Sequence, residues 1–573
     1  MLPNLDGDSS PSGEHEDIVF VDTPQLFPAI TLILFKSIPP PLQSELSMSF
    51  SKQISTAVGR TNRPSKTSRI SGRLCIFLLF AGFTPKPFLR AEVTLPNIFG
   101  DHMVLQREQA NKVWGRADSG ETVTVEIAGQ SHTATADATG NWQVKLQPLS
   151  LGDPLQMVIR GRNEVRINDI LVGEVWVCSG QSNMQWSVAQ TENAALVAAA
   201  ARTPEIRMIN FPQVGSQEAI WTHDRPWMVC SPESVGRFSA VGYYFARQLH
   251  ATLGVPIGMI NNAWGGSAAE AWVERDVLKS TESMKALMER WEATEKEMGS
   301  AVEALSAKKD RTEEETKRLN QARGSLTGNS RPGNIFEGVL RSHLGYGIKG
   351  AIWYQGESNA SRAYQYRELF PLMIKNWRER WGQGDFPFYY VQLADFKNEN
   401  PTPGESDWAE LREAQTMTMD RLPNVGEAVI IDLGEGKDIH PRNKLGVGMR
   451  LAAWALANQY GLEVPHRSPR YREMKIEGDK AILSFAHVEG WRPFDVPAPL
   501  GFTIAGEDKV FHAAAAKILP DGRIEVSSPS VPKPLAVRYA WADNPVVNLY
   551  SNQDFPLTPF RTDDWQGITF GKN

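Results

Sequence analysis

The sequence predicts an α/β protein in which a parallel sheet is flanked by helices, with a β-rich region at each end. Between residues 93 and 170, short runs rich in Val, Thr and Ile alternate with Gly, Asp and Asn, which is typical of antiparallel strands and turns. After Trp186, apolar runs alternate with helical patterns, as expected of βα units. Past Pro465 the pattern of short strands and turns returns. We therefore expect one α/β domain between two β-rich regions.

Length and composition indicate a globular protein with several domains. The chain has 573 residues, of which 41% are hydrophobic and 22% charged, which suffices for domains of roughly 100 to 200 residues each. With 60 Lys and Arg against 66 Asp and Glu, its net charge of -6 disfavours nucleic acid or an anionic membrane surface as a partner. The sequence has no HExxH or CxxC motif and its 10 histidines do not cluster. We therefore expect neither a metal ion nor another cofactor.

Residues 1–91 are predicted to be a leader with a signal peptide. After Met48 this stretch carries Lys and Arg but no acidic residue, and Leu74 to Phe83 forms an apolar core too short for a transmembrane helix. A basic region, an apolar core and a small residue at Ala91 are typical of a secretory signal. We expect translation to start at Met48 and a mature protein that begins near Glu92, is secreted or periplasmic, and has no stable membrane insertion. An uncleaved anchor or a disordered leader is the alternative.

The candidate nucleophile lies in the stretch from Leu171 to Trp186, LVGEVWVCSGQSNMQW. The first half predicts a short buried strand that stops at Ser179 and Gly180. Ser182 then lies on a turn at the carboxyl end of this strand. Ligands bind there in open α/β sheets, and a nucleophile there can reach solvent. A Ser-Asn turn that only caps the next helix is the structural alternative.

Later apolar runs supply further candidate strands of the same sheet: Pro256 to Asn261, Gly350 to Tyr354, Phe388 to Leu393 and Ala428 to Leu433. His440 follows the last of these runs and precedes a predicted helix from Lys444 to Asn458, so we expect it at the same sheet edge as Ser182. The charged stretch 278–323 has apolar residues at helical spacing and predicts a solvated helical hairpin inserted in the domain. A partner-binding coiled coil is the alternative for this insertion.

Four sequence blocks together resemble the sialate O-acetylesterase family of the SGNH/GDSL hydrolase superfamily. They are CSGQSNM from Cys178, NNAWGGSAAEAW from Asn261, IWYQGESNA from Ile352 and DIHPRNKLGVG from Asp438. The blocks occur in the order that the superfamily requires. The resemblance implies an SGNH-hydrolase (flavodoxin-like) domain over residues 171–464, a preceding β-rich domain over residues 92–170 and a C-terminal β-rich region over residues 465–573.

Ester hydrolysis by a serine needs a base, a group that orients the base, and donors aimed at the oxyanion. Ser182 is the predicted nucleophile and His440 the predicted base. The predicted oxyanion donors are the backbone N–H groups of Ser182 and Gly266, with Gly265 as the alternative to Gly266, and the side-chain amide of Gln355, with Asn359 as its alternative. Glu357 is interpreted as a hydrogen-bond partner within the site, and Arg412 and Gln415 match family positions without a role that spacing reveals.

Asp438, two residues before His440, is the predicted orienting acid. Many SGNH hydrolases place an aspartate three residues before the histidine, but Lys437 stands at that position here. Asp432 and Glu435 are the competing acids. A histidine held by a backbone carbonyl is the remaining option.

The predicted function is that of a metal-independent serine esterase which removes O-acetyl groups from sialic acid or a related glycan through an acetyl-serine intermediate. Its expected partner is therefore an O-acetylated carbohydrate substrate. A polysaccharide acetylesterase acting on a substrate such as acetylxylan, and a non-catalytic glycan-binding protein, are the alternatives. The sequence leaves open the sugar, the position of the acetyl group, the oligomeric state and, once Cys75 is removed with the leader, whether Cys178 and Cys230 pair.

Overall fold

A computed structural model describes residues 92–573. The predicted signal peptide, the predicted start at Met48 and Cys75 lie outside these residues. In residues 92–573, no helix is long and apolar enough to cross a membrane. Cys178 and Cys230 are both buried and free, so they do not form the disulfide that the sequence had left open.

The N-terminal part of the described chain is built mostly from short antiparallel pairs, whereas its first strand pairs in parallel with the seventh. Its strands are Val104–Gln106 (β1), Lys112–Arg116 (β2), Thr122–Ile127 (β3), Gln130–Thr135 (β4), Asn141–Lys145 (β5) and Leu155–Arg160 (β6). Strand β2 pairs with β5, and β3 pairs with both β4 and β6. Buried and more exposed residues alternate along β3 and β5, as expected of strands with one face in a core.

The next strand, Glu164–Gly180 (β7), joins these strands to the central sheet. Its first residues alternate between buried and exposed and pair antiparallel with β6, whereas every residue from Ile170 onward is buried. The expected short strand is thus 17 residues long. Because β7 takes part in both pairings, the expected domain boundary between residues 170 and 171 falls inside one strand.

The central part of the chain supplies the other strands of the central sheet and the ten helices of the described residues. The helices are Ser182–Gln185 (α1), Ala194–Ala200 (α2), Ala240–Leu253 (α3), Arg275–Ser280 (α4), Lys285–Ala307 (α5), Glu313–Thr327 (α6), Asn334–Gly338 (α7), Ala363–Trp381 (α8), Asp407–Arg421 (α9) and Lys444–Tyr460 (α10). The strands are Ile206–Asn210 (β8), Trp227–Val229 (β9), Ile257–Asn261 (β10), Gly350–Tyr354 (β11), Phe388–Val391 (β12) and Val425–Ala428 (β13). Short 3-10 turns link them.

The central sheet has the strand order β13-β12-β11-β7-β10-β8-β9. Neighbouring strands are parallel except β9, which runs antiparallel to β8, so the sheet is mixed. Val175 and Val177 of β7 face a core that includes α8, whereas Trp176 and Cys178 face a core that includes α3 and α10. Helices cover both faces, and the predicted α/β class is confirmed.

Three of the four further strand predictions agree closely with the structure, and the fourth is wrong. Strand β11 has the predicted bounds, and β10 and β12 lie within theirs. The run from Ala428 to Leu433 is not a strand, because β13 ends at Ala428 and the chain then turns away from the sheet. Val429 and Ile431 pack instead into the core of the C-terminal strands. The run is apolar because these two residues face the C-terminal core while Ala428 and Ile430 face a core of the central sheet.

The charged stretch 278–323 falls on helices α4, α5 and α6. Its buried residues are Leu278 of α4, Met284 just before α5, Leu287 and Met288 of α5, and Leu319 and Ala322 of α6. Thr312 and the glutamate three residues later form a capping box that starts α6. The apolar stripe is thus short, as in a solvated helical pair.

The C-terminal strands form separate antiparallel sheets. They are Arg470–Glu477 (β14), Lys480–Ala486 (β15), Trp491–Pro493 (β16), Phe502–Ala505 (β17), His512–Ala513 (β18), Ala515–Ile518 (β19), Ile524–Ser527 (β20), Ala536–Tyr539 (β21), Leu549–Ser551 (β22) and Phe560–Arg561 (β23). The sheet orders are β14-β15-β20-β19, β18-β17-β21-β23 and β16-β22. The division of the chain into domains stays a prediction.

Arg412 of α9 links the central sheet to the C-terminal strands. Its buried guanidinium donates to the backbone carbonyls of Leu393 and Ala394, which follow β12, and to those of Ala542 and Asp543, which follow β21. Burial lowers the pKa of Arg412 to about 10, so the group stays charged at neutral pH. This arginine supplies the donors that these carbonyls need in the interior.

We expect Arg412→Leu to lower the free energy of unfolding by roughly 3 kcal/mol or more, because several buried carbonyls lose their donors. The matched control is Arg421→Leu on the same helix, where the arginine forms an exposed ion pair with Glu368 and the expected loss is less than about 1 kcal/mol. Urea unfolding followed by tryptophan fluorescence measures both values. Equal, small losses in the two variants would contradict this role for Arg412.

Candidate active site

Ser182 lies at the carboxyl end of β7, in a turn that requires glycine at position 180. Gly180 has a φ of +131°, and a Cβ there would lie 2.2 Å from the carbonyl oxygen of Tyr354. The next residue, Gln181, donates its backbone N–H to that same oxygen over 2.9 Å. Ser182 then begins the four-residue helix α1. Its hydroxyl makes no hydrogen bond to any residue in the range 92–573 and is free to meet a substrate.

The residues that flank Ser182 contact the segment that carries His440. The ring of Trp186 stacks on the imidazole of His440, with 5.0 Å between ring centroids and 15° between ring planes. The side-chain amide of Asn183 donates to the backbone carbonyl of Ile439 over 3.0 Å. The structure therefore brings the predicted nucleophile and the predicted base to the same edge of the sheet.

Asp438 is the acid beside the imidazole. Its Oδ1 lies 3.5 Å from Nδ1 of His440 and accepts the backbone N–H of His440 over 2.9 Å. Asp432 is instead engaged by both terminal nitrogens of Arg450, at 2.6 and 2.7 Å. Glu435 accepts the backbone N–H of Arg442 over 2.6 Å. Of the three acids that the sequence proposed, Asp438 is the one that contacts His440.

The surroundings of His440 favour a neutral imidazole. Partial burial lowers the pKa of His440, the nearby Asp438 opposes this effect, and the charge of Lys444 adds to it. The net result is a pKa below the usual histidine value. A neutral imidazole at neutral pH is the form that can accept a proton from a hydroxyl.

The glycine turn after β10 lies beside Ser182. A Cβ on Gly265 would be 3.3 Å from Cβ of Ser182, and the N–H of Gly265 donates to Gln185 Oε1 over 2.6 Å. The N–H groups of Ser182 and Gly266 have no hydrogen-bond partner within the described chain. Gly266, with a φ of +71°, is therefore better placed than Gly265 to offer a free N–H.

The amide of Gln355 is buried in a hydrogen-bond network. Its Nε2 donates to the carbonyl of Ser267 over 3.1 Å and to Oδ1 of Asn359 over 2.7 Å, and its Oε1 accepts from the hydroxyl of Tyr366. Asn359 donates onward to Glu270. Since both amide hydrogens of Gln355 are engaged, it reaches an oxyanion only by exchanging one of these partners. Its role as an oxyanion donor stays a prediction.

Gln415 and Glu357 each form hydrogen bonds to other residues of the site. Gln415 Nε2 donates to the backbone carbonyls of Gln355 and Val391 over 3.1 Å each, so it joins the ends of β11 and β12. Glu357, as interpreted from the sequence, accepts a hydrogen bond from another site residue, Asn183, over 2.7 Å. Both residues stabilise the sheet edge on which the site is built.

Asn183 and Lys444 are site residues that the sequence did not predict. Asn183 follows Ser182 directly, and Lys444 was predicted only as the start of a helix. Lys444 is buried, and its Nζ donates to Asn183 Oδ1 over 2.6 Å. One signal was available, because a lysine in the first turn of a helix is opposed by the helix dipole and suggests other contacts.

Within residues 92–573, no group of three or more His, Cys, Asp or Glu side chains could hold a metal ion. What the site contains is a free hydroxyl, an imidazole with a carboxylate beside it, and unpaired backbone N–H groups. These are the groups that acyl transfer by a serine uses.

Comparisons with known proteins agree with this chemistry. The sequence model of the family described as "Carbohydrate esterase, sialic acid-specific acetylesterase" matches residues 172–307 and 335–456. Sialate O-acetylesterase of Mus musculus is 29% identical over 426 residues, which cover 68% of this chain and 77% of the relative. Sialate O-acetylesterase of Homo sapiens is 29% identical over 424 residues, which cover 68% and 75%.

A solved structure is similar over most of the chain. The crystal structure of a carbohydrate acetylesterase from Xanthomonas citri is 36% identical to this chain, covers 83% of it and is itself covered over 100% of its length, with a TM-score of 0.72. The likeness thus extends beyond the two matched segments of the family model. Together with the family match, it shows that this chain is a carboxylic ester hydrolase and belongs to the sialic acid-specific acetylesterase family of carbohydrate esterases.

Proposed function

We propose that this protein removes O-acetyl groups from sialic acid or a related glycan, with Ser182 as nucleophile, His440 as base and Asp438 as orienting acid. The observation that carries the proposal is the pair of contacts that join the Ser182 turn to the His440 segment, one from Trp186 and one from Asn183. Substrates bind at this edge in α/β sheets. The named activity of the mammalian relatives supports an acetylated sugar as substrate.

The proposed reaction follows the acyl-transfer scheme. The Ser182 hydroxyl attacks the acetyl carbonyl and gives its proton to His440, whose Nδ1 faces Asp438, so Nε2 receives the proton. The tetrahedral oxyanion accepts hydrogen bonds from the N–H groups of Ser182 and Gly266, with Gln355 as the side-chain donor. When the C–O bond to the sugar breaks, His440 returns the proton to the sugar oxygen. Water, activated by the same imidazole, then releases acetate from the acetyl-serine.

An exposed arginine close to His440 along the chain supports a substrate with a carboxylate. Arg442 lies two residues after His440, is exposed, and forms no ion pair with any residue in the described range. A guanidinium suits a carboxylate because its donors match the two oxygens. Sialic acid carries such a group, whereas the xylose units of acetylxylan do not. This observation favours sialic acid over the polysaccharide alternative.

The proposal extends to the finer architecture and to the location of the protein. We assign an SGNH-hydrolase (flavodoxin-like) arrangement to residues 171–464, with β-rich regions on either side. The parallel strands and the position of Ser182 after β7 support this assignment. The basic and apolar stretch within residues 1–91 supports secretion or export to a periplasm.

Acetate release from O-acetylated sialic acids and from acetylxylan, assayed side by side, tests the substrate. We expect turnover of the sialic acids at least tenfold faster, because Arg442 offers a partner for their carboxylate. Arg442→Gln should raise KM for the sialic acids and leave hydrolysis of p-nitrophenyl acetate, which has no carboxylate, unchanged. Faster release from acetylxylan would favour the polysaccharide alternative, and no release from any ester would favour a glycan-binding protein.

Ser182→Ala should lower acetate release by about a thousandfold or more, because the bond-forming oxygen is lost while binding groups remain. The thermal midpoint should change little, since the hydroxyl has no hydrogen-bond partner within the described residues. Ser280→Ala, at the exposed end of α4, is the matched control and should keep full activity. A tenth of normal turnover in Ser182→Ala would rule out this serine as the nucleophile.

Asp438→Asn should lower acetate release at neutral pH by roughly a thousandfold or more, since the imidazolium loses its carboxylate. Glu435→Gln is the control from the same loop, where an amide oxygen can still accept the N–H of Arg442, and it should stay within tenfold of normal. Asp432→Asn breaks the pairing with Arg450 and should act on stability more than on turnover. A loss of less than tenfold in Asp438→Asn would refute its assignment.

A further inference from the structure

Lys444 is a buried cation that the proposed reaction does not use. It is 1% exposed, four residues after His440, at the first position of α10. Lysine is almost never fully buried unless it is paired, and burial lowers the pKa of Lys444 to about 7. Both burial and the helix dipole oppose a charge at this position. Specific contacts must therefore compensate for it.

Those contacts are made to the two residues that join the Ser182 turn to the His440 segment. The ammonium donates to Asn183 Oδ1 over 2.6 Å. It also lies 5.6 Å from the centroid of the Trp186 ring, within the range of a cation–π interaction. Asn183 and Trp186 are the same residues that bond to Ile439 and stack on His440. Lys444 thus supports both links between the nucleophile turn and the base.

Glu357, in the turn after β11, is the second ionisable residue that bonds to Asn183. Glu357 is partly buried: Oε1 accepts from Asn183 Nδ2 over 2.7 Å, and Oε2 is buried without a hydrogen-bond partner within residues 92–573. Burial raises the pKa of Glu357, and the charge of Lys444 opposes this effect. The amide of Asn183 therefore lies between an acid and an ammonium, with its oxygen toward the cation and its nitrogen toward the acid. This polarity fixes the orientation of the amide.

We propose that Lys444 is a positioning residue for ester hydrolysis, which fixes Ser182 relative to His440 through Asn183 and Trp186 and whose charge keeps the imidazole neutral. This inference rests on the proposed function. The ionisable groups that face Lys444 are Glu357 after β11, Glu435, Asp438 and His440 from the loop before α10, and Tyr354 at the end of β11, whose ring centroid lies 5.4 Å from Nζ.

The direction of the pH effect follows from these charges. A nearby cation disfavours imidazolium, so the charge of Lys444 lowers the pKa of His440. Activity is lost on the acid side as His440 takes up a proton, and Lys444 is charged in that range because its own pKa is about 7. Removing the charge should therefore raise the pKa of His440 and move the acid limb of the kcat/KM profile to higher pH.

The test compares Lys444→Met and the double variant Glu357→Gln/Lys444→Met with the wild type, using p-nitrophenyl acetate from pH 5 to 9. The double variant removes both buried charges together and so avoids an uncompensated carboxylate. Lys437→Met, on the exposed surface of the same loop, is the matched control. We expect both Lys444 variants to shift the acid limb upward by about one pH unit and to lose kcat by on the order of tenfold to a hundredfold. The control should do neither.

Each other outcome overturns the inference. If the acid limb of the kcat/KM profile in both variants stays within about 0.2 pH units of the wild type, the charge of Lys444 does not act on His440. A loss of kcat that only follows a fall in thermal midpoint, or failure of both variants to fold, makes Lys444 a structural residue. A failure of the proposed function looks different, because Ser182→Ala would then keep its activity and an organophosphate would leave the wild type uninhibited.

Discussion

The position of the site depends on the confinement of β7 between β10 and β11. Both neighbours run parallel to it, and its residues from Ile170 to Gly180 are buried without interruption. At the end of β7 the backbone comes so close to Tyr354 that only glycine fits, and Ser182 follows two residues later. The proposed nucleophile therefore follows a buried strand that is paired on both sides. A serine placed this way can be held to the tolerance of about half an ångström that catalysis requires.

Several buried residues around Gln355 are polar. Because they are buried, they must bond to one another in a connected hydrogen-bond network. Gln355, Asn359 and Glu270 are buried and bonded in series, and Arg290 and Arg362 pair with Glu270. A buried amide or carboxylate without a partner costs about 1 to 3 kcal/mol, more when charged, so each member depends on the next. Arg290 belongs to α5, which means that the inserted helices contribute to the network behind Gln355. The insertion is therefore connected to the site by the ion pair between Arg290 and Glu270 as well as through the polypeptide chain.

The sheet and the approximate place of the site could be predicted from the sequence, because apolar runs that end in polar turns leave a local signal. The full extent of β7 could not be predicted, since its alternating first half and its continuous second half have the patterns of two strands. The run after Ala428 gave the wrong element because apolar periodicity does not reveal which core buries a segment. The contact of Lys444 with Asn183 joins residues 261 positions apart. Pairings of that kind depend on the completed fold.

The C-terminal strands take part in the site through the loop that carries His440. Tyr550 of β22 donates to Asp432, so the acid bound by Arg450 also anchors the start of this loop. A Cβ on Gly436 would lie 2.6 Å from Asn544 Nδ2, which shows how closely the segment after β21 approaches. The loop is thus held on one side by the C-terminal strands and on the other by the contacts from the Ser182 turn. An imidazole on a loop gains its precision from such support on both sides, and the C-terminal region is in this sense part of the scaffold of the proposed site.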